Sequence, residues 1–93
     1  MRLRRSPAVP EHIEADTLAE IERRCAAASA GPWKSFVERR DHDAGSDFIR
    51  TGGDDIYLSG ASVADQDFIA HARQDVPLLL AEVRKLRSRL GIA

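Results

Sequence analysis

The chain has 93 residues, 43% of them hydrophobic and 31% charged, with a formal net charge of −1. A chain of this size buries only about two-thirds of its unfolded surface, which leaves room for one thin core and excludes two separate domains. Its ordinary composition argues against global disorder, and its longest apolar run, Val76 to Ala81, falls far short of the roughly 20 residues a membrane-spanning helix needs.

Met1 to Glu11 carries two prolines, several charges and no periodicity, and is expected to be a mobile arm ahead of a single domain over residues 12–93. Its basic start is followed by Ser6-Pro7-Ala8-Val9-Pro10 where a secretory signal would need an apolar helix, so a cytoplasmic location is expected. Leu18, Ile21, Cys25 and Ala28 step by three and four and predict a first helix. Thr17 and Glu20 have the form of its capping box, and Gly31-Pro32 of its stop. Cys25 is the only cysteine, so an internal disulfide is excluded; among alanines it reads as a small apolar residue.

Trp33 to Glu38 reads as a short strand. After a polar loop, Phe48-Ile49-Arg50 and Ile56-Tyr57-Leu58 bracket Thr51-Gly52-Gly53-Asp54 as a hairpin, with the glycines supplying positive φ and alternation setting Tyr57 opposite to Ile56 and Leu58. Ser62 and Asp65 open a second helix that carries Val63, Phe68, Ile69 and Ala72 as far as Arg73. Asp75 then caps a third helix, with Pro77 in its first turn and Val76, Leu79, Val83, Leu86 and Leu90 as its apolar seam. The expected fold class is α+β: a small antiparallel sheet of two or three strands, packed with one N-terminal and two C-terminal helices.

The chemistry of single residues is sparse. Asp41-His42-Asp43-Ala44-Gly45-Ser46-Asp47 resembles a calcium loop only in part, because Gly45 and Gly52 stand where the fifth and twelfth ligands belong. His42 and His71 with Asp54 or Asp55 are the only plausible acid–base or metal groups, and no nucleophile elbow or His-x-x-x-His pair accompanies them. No catalytic residue, metal or cofactor is therefore assigned. Arg84, Lys85, Arg87 and Arg89 make a basic helix end without an aromatic stacking partner, which speaks against nucleic acid.

Two surfaces stand out for protein binding. The stretch from Asp41 to Asp55 holds five aspartates against one arginine. It predicts an acidic docking loop of Asp41, Asp43, Asp47, Asp54 and Asp55, with Tyr57 or Trp33 as aromatic anchor. Leu79, Val83, Leu86 and Leu90 form a narrow seam, which predicts either packing on the first helix or a homodimer through the C-terminal helix.

Gly31-Pro32-Trp33 after an alanine-rich helix end, then Asp67-Phe68-Ile69-Ala70-His71-Ala72-Arg73, then Val76-Pro77-Leu78-Leu79-Leu80-Ala81-Glu82-Val83 and Leu86 resemble small bacteriophage and prophage proteins of the Ea22-like kind. The resemblance spans about Leu18 to Leu90. Read physically, these motifs have scaffold roles, with Trp33 anchoring a strand and Phe68 and Ile69 facing the core. The resemblance also implies a phage or mobile-element origin and an accessory task in a host, with no catalytic residues to carry over. The expected function is a non-enzymatic protein-binding module, an inhibitor of a host defence system or a neutraliser of a toxin, acting on an unidentified protein partner.

Overall fold

The computed structural model describes residues 12–92, so the expected arm Met1–Glu11 and the last residue lie outside it. The order of elements is α1 (Ala15–Ala27), β1 (Lys34–Phe36), β2 (Phe48–Arg50) and α2 (Val63–Leu90). The expected α+β class is observed, with a two-stranded antiparallel sheet and two helices instead of three. Both helices pack on one another, and α2 also carries the sheet.

The second and third expected helices are one. Ser62 accepts from the Asp65 backbone N–H at 3.0 Å while Asp65 accepts from the Ser62 N–H at 3.1 Å, a reciprocal cap that opens α2 where the sequence places it. The helix then passes Arg73 and Pro77 without a break and closes at Gly91, whose φ of 71° is the left-handed form that glycine adopts at little cost. The reason is tertiary. Gln66 and Gln74, two turns apart on one face with Ala70 between them, both hold the strands, and that spacing requires continuous helix through residue 74.

Gln66 is buried, and its amide nitrogen donates to Ser35 Oγ at 2.8 Å, the Phe48 carbonyl at 3.2 Å and the Phe36 carbonyl at 3.3 Å. Gln74 accepts from the Trp33 N–H at 2.7 Å and returns a bond to the Trp33 carbonyl at 3.1 Å, completing for Trp33 a ladder that no third strand among the described residues provides. Trp33 itself is half-buried with its indole N–H on the Ser29 carbonyl, in keeping with the expected anchor, and lies just outside β1.

In the sheet, Ser35 faces Ile49, with Lys34 opposite Arg50 and Phe36 opposite Phe48. The expected hairpin reduces to one bridge, in which Ile49 and Ile56 exchange both backbone bonds at 2.9 Å. Gly52 and Gly53 do not take positive φ. Gly52 is required for closeness instead: its N–H meets the Ala30 carbonyl at 2.8 Å, and a Cβ there would stand 2.7 Å from that oxygen.

α1 begins two residues before Thr17, so the predicted capping box is not its start; Glu14 is the cap position, and its side chain makes no capping hydrogen bond. It ends at Ala27, ahead of Gly31-Pro32. The chain leaves the helix there because the next carbonyls serve other elements: Ser29 accepts from Trp33 Nε1 and Arg73 Nε, and Ala30 from Gly52. Helix α1 runs against α2 with Leu18 and Leu80 buried and Glu22 held by Arg84 through two bonds of 2.6 and 2.9 Å. Burying Leu18 and Ile49, the largest side chains among the described residues that are fully enclosed, contributes about 1.5–3 kcal/mol each. Phe68 and Ile69 are corrected from core to surface: they stand 75% and 38% exposed, and Gln66 and Ala70 fill the helix–sheet seam in their place.

Candidate functional site

Alternation along each strand sorts the sheet into two faces. Ser35 and Ile49 point to α2; Lys34, Phe36, Phe48 and Arg50 share the outer face. The Phe36 and Phe48 rings stack at 5.1 Å with 9° between planes. Arg50 and Lys34 lie over Phe36 at 4.6 and 5.0 Å from its centroid, a cation–π cap on one ring of an aromatic pair that no helix among the described residues covers. Tyr57 rests on Phe48 at 5.9 Å and remains 63% exposed, while Ile56 and Leu58 turn inward and are half-buried.

Tyr57 and Phe68 mark two adjoining open grooves. One is lined by Glu38, Asp47, Tyr57, Leu58 and Ser59 among others. The next, of about 350 Å³, is lined by Leu58, Ser59, Asp65, Phe68 and Ile69 with the 60–61 turn. Leu58 and Ser59 belong to both, so a single strip of chain separates two exposed aromatic side chains, with Glu38, Asp47 and Asp65 at the rim.

The five aspartates of the predicted acidic loop separate into different roles. Asp41 accepts from the Val37 N–H at 2.8 Å and from Arg40 Nε at 2.9 Å, and Asp47 accepts from the Glu38 N–H at 2.8 Å; both build the loop. The backbone N–H of Val37 and the Arg40 guanidinium hold the Asp41 carboxyl below the usual carboxylate range. Asp54 contributes its carbonyl, on which the Thr51 hydroxyl closes the 51–54 turn at 2.8 Å. Asp43 and Asp55 are exposed and form no ion pair among the described residues.

Arg40 locks this loop to α2. Its guanidinium grips both oxygens of Asp67 at 2.8 and 3.0 Å while Nε holds Asp41. Hydrogen bonds from Arg40, and secondarily from Ser35, bring the Asp67 carboxyl down to about 2, and the two carboxylates raise Arg40. At the other end of α2, Glu22 is lowered and Arg84 raised by their shared bonds.

The histidines are not brought into one constellation. His42 lies against Phe48 at 5.4 Å and Phe36 at 6.5 Å, with Nδ1 accepting from the Ala44 N–H at 3.0 Å. His71 is on α2, where Nδ1 stands 2.9 Å from the Asp67 carbonyl. Among the described residues no group of three or more His, Cys, Asp or Glu side chains is placed to hold a metal ion. Of the basic helix end, Arg84 binds Glu22 and Arg87 the Ile13 carbonyl, whereas Lys85 and Arg89 are exposed. Among the described residues no helix is long and apolar enough to cross a membrane.

Sequence reading located Tyr57 but missed Phe36, Phe48, Leu58 and Phe68. A signal existed for the strand pair, since alternation puts Lys34 with Phe36 and Phe48 with Arg50. None existed for Phe68, whose helical spacing fits a core position equally well. Comparison of the chain with family models, with curated proteins and with solved structures finds no match in any of the three.

Proposed function

We propose that this chain is a non-enzymatic binding module that docks a second protein on the strip from Tyr57 to Ser59 between its two grooves. It would act as an inhibitor or immunity protein, in line with the accessory task that the Ea22-like resemblance implies. The observation that carries the reading is the pair of large aromatics left open at adjoining grooves, Tyr57 at 63% and Phe68 at 75% exposure. Aromatic anchors beside pockets dominate interface energetics, and Tyr57 is already oriented by Phe48, which lowers the ordering cost of binding. The acidic rim of Glu38, Asp47 and Asp65 favours a partner with a basic surface around an apolar centre.

Co-purification from a bacterial host with the wild-type chain, Tyr57→Ala and Phe68→Ala tests this. Both side chains are exposed, so each variant keeps its fold and its circular dichroism. A stoichiometric protein partner is expected whose affinity falls about 30-fold or more in each variant, the loss of about 2 kcal/mol that defines an anchor. Retention of the same partner by both variants would sink the docking strip.

A second reading has its own observation, because stacked rings flanked by cations on an open sheet face also suit single-stranded nucleic acid. The protein reading is preferred because the two cations already cap Phe36 and because the net charge is −1. A salt-sensitive shift of single-stranded DNA or RNA that disappears in Lys34→Ala and Arg50→Ala would reverse that preference.

A further inference from the structure

Helix α2 has a second apolar face that the chain's described residues leave largely open. The face packed on α1 and the sheet contains Gln66, Ala70, Gln74, Leu80 and Arg84. On a different side, Ala72, Val76, Leu79, Val83, Leu86 and Leu90 recur at steps of four and three over 19 residues, about 28 Å of helix. Leu79, Leu86 and Leu90 are 62%, 46% and 73% exposed, and the two valines are half-buried. With 13 residues against the 28 of α2, α1 occupies one side of the long helix and leaves this one open.

We infer that this face is the seam of a parallel two-stranded coil formed with a second copy of the chain. The identity of the seam residues selects the occupant. In heptad terms Val76 and Val83 occupy a positions and Leu79 and Leu86 occupy d positions, the β-branched-a, leucine-d alternation that favours parallel pairs over trimers and tetramers. The flanks agree. Glu82 falls at g and Arg87 at the following e, so a parallel copy brings a carboxylate alongside an arginine that also donates to the Ile13 carbonyl of its own chain. Glu82 is exposed and forms no ion pair among the described residues of its own chain.

The consequence is geometric and stands whether or not the docking strip binds a protein. Phe68 lies near the start of α2, so parallel pairing brings both Tyr57–Ser59 strips to one end of the assembly, a bivalent surface. Antiparallel pairing would send them to opposite ends.

Sedimentation equilibrium of the full chain is expected to give twice the 10.3 kDa chain mass at micromolar concentration. Leu79→Glu with Leu86→Glu is expected to weaken association at least about 100-fold. A cysteine pair reads orientation without relying on that variant folding. In a Cys25→Ser background, Leu79→Cys and Leu90→Cys, both at exposed sites, should each form a disulfide dimer on mild oxidation, because a parallel coil sets every level opposite its own copy within the 4.4–6.8 Å that a disulfide needs. An antiparallel pair can do so at one level only. A single-chain mass at every concentration overturns the inference, as does cross-linking at one position without the other. The Tyr57 and Phe68 variants leave the seam intact, so failure of partner docking and failure of self-association are read separately.

Discussion

Two glutamines of α2, Gln66 and Gln74, tie the helix to the strand segment through their side-chain amides. Gln66 sits among three oxygens from Ser35, Phe36 and Phe48, and only an amide donor suits that position. Gln66→Leu removes the donor and strands buried acceptors, so unfolding by urea should register a loss of about 1–3 kcal/mol. Gln66→Glu sets a carboxylate against the same oxygens and raises its folded pKa above the unfolded value; the variant is therefore expected to gain stability as pH falls, opposite to the usual acid response. Asp67 behaves in the reverse sense. Its folded pKa is about 2 because of Arg40, so its contribution is present above the unfolded value near 4 and is lost as pH falls from there through about 2. Asp67→Asn should flatten the acid limb in that window while leaving the curve above pH 5 parallel to wild type. Gly52→Ala forces a Cβ against Ala30 and should cost about 1–3 kcal/mol by thermal denaturation.

At the scale of elements, α2 is a helix that local sequence argues against. Pro77 lacks the N–H that would bond the Arg73 carbonyl, and its ring crowds that turn. Proline inside a helix is about 3 kcal/mol less favourable than alanine, and the helix continues because Gln66, Ala70 and Gln74 fix its first half to the sheet while Leu80 and Arg84 fix its second half to α1. Pro77→Ala is expected to raise stability by about 1–2 kcal/mol, the remainder being offset by lost contacts of the half-buried ring, which calorimetry reads as a higher Tm. The strands show the converse: three residues each, they pair because the helix glutamines complete the bonds that so small a sheet leaves open.

For the whole molecule, one long helix divides its surface among three tasks: carrying the sheet, packing α1, and presenting the leucine seam. Burial is correspondingly modest, with Leu18, Val37, Ile49, Ala70 and Leu80 as the buried apolar residues among those described. A chain with so thin a core gains from covering Leu79, Leu86 and Leu90, so stability should depend on protein concentration. Raising the concentration tenfold is expected to raise the Tm measurably in wild type and not in the Leu79→Glu, Leu86→Glu variant.

The α+β class, the Ser62–Asp65 cap, the start of α2, the inward turn of Ile56 and Leu58 and the outward turn of Tyr57 were legible in the sequence, because each follows from spacing within a few residues. What tertiary structure decided is of another kind. Thr17-x-x-Glu20 and Asp75-x-Pro77 are sound local signals for helix starts, yet contacts 31 to 62 residues distant, from Gln66 to Ser35, Gln74 to Trp33 and Arg84 to Glu22, settle where the helices run. Gly52 looked like a turn glycine and serves as a gap for Ala30. Phe68 had core spacing and lies on the surface, because a helix with two apolar faces offers only one of them to a given sheet, and periodicity does not say which.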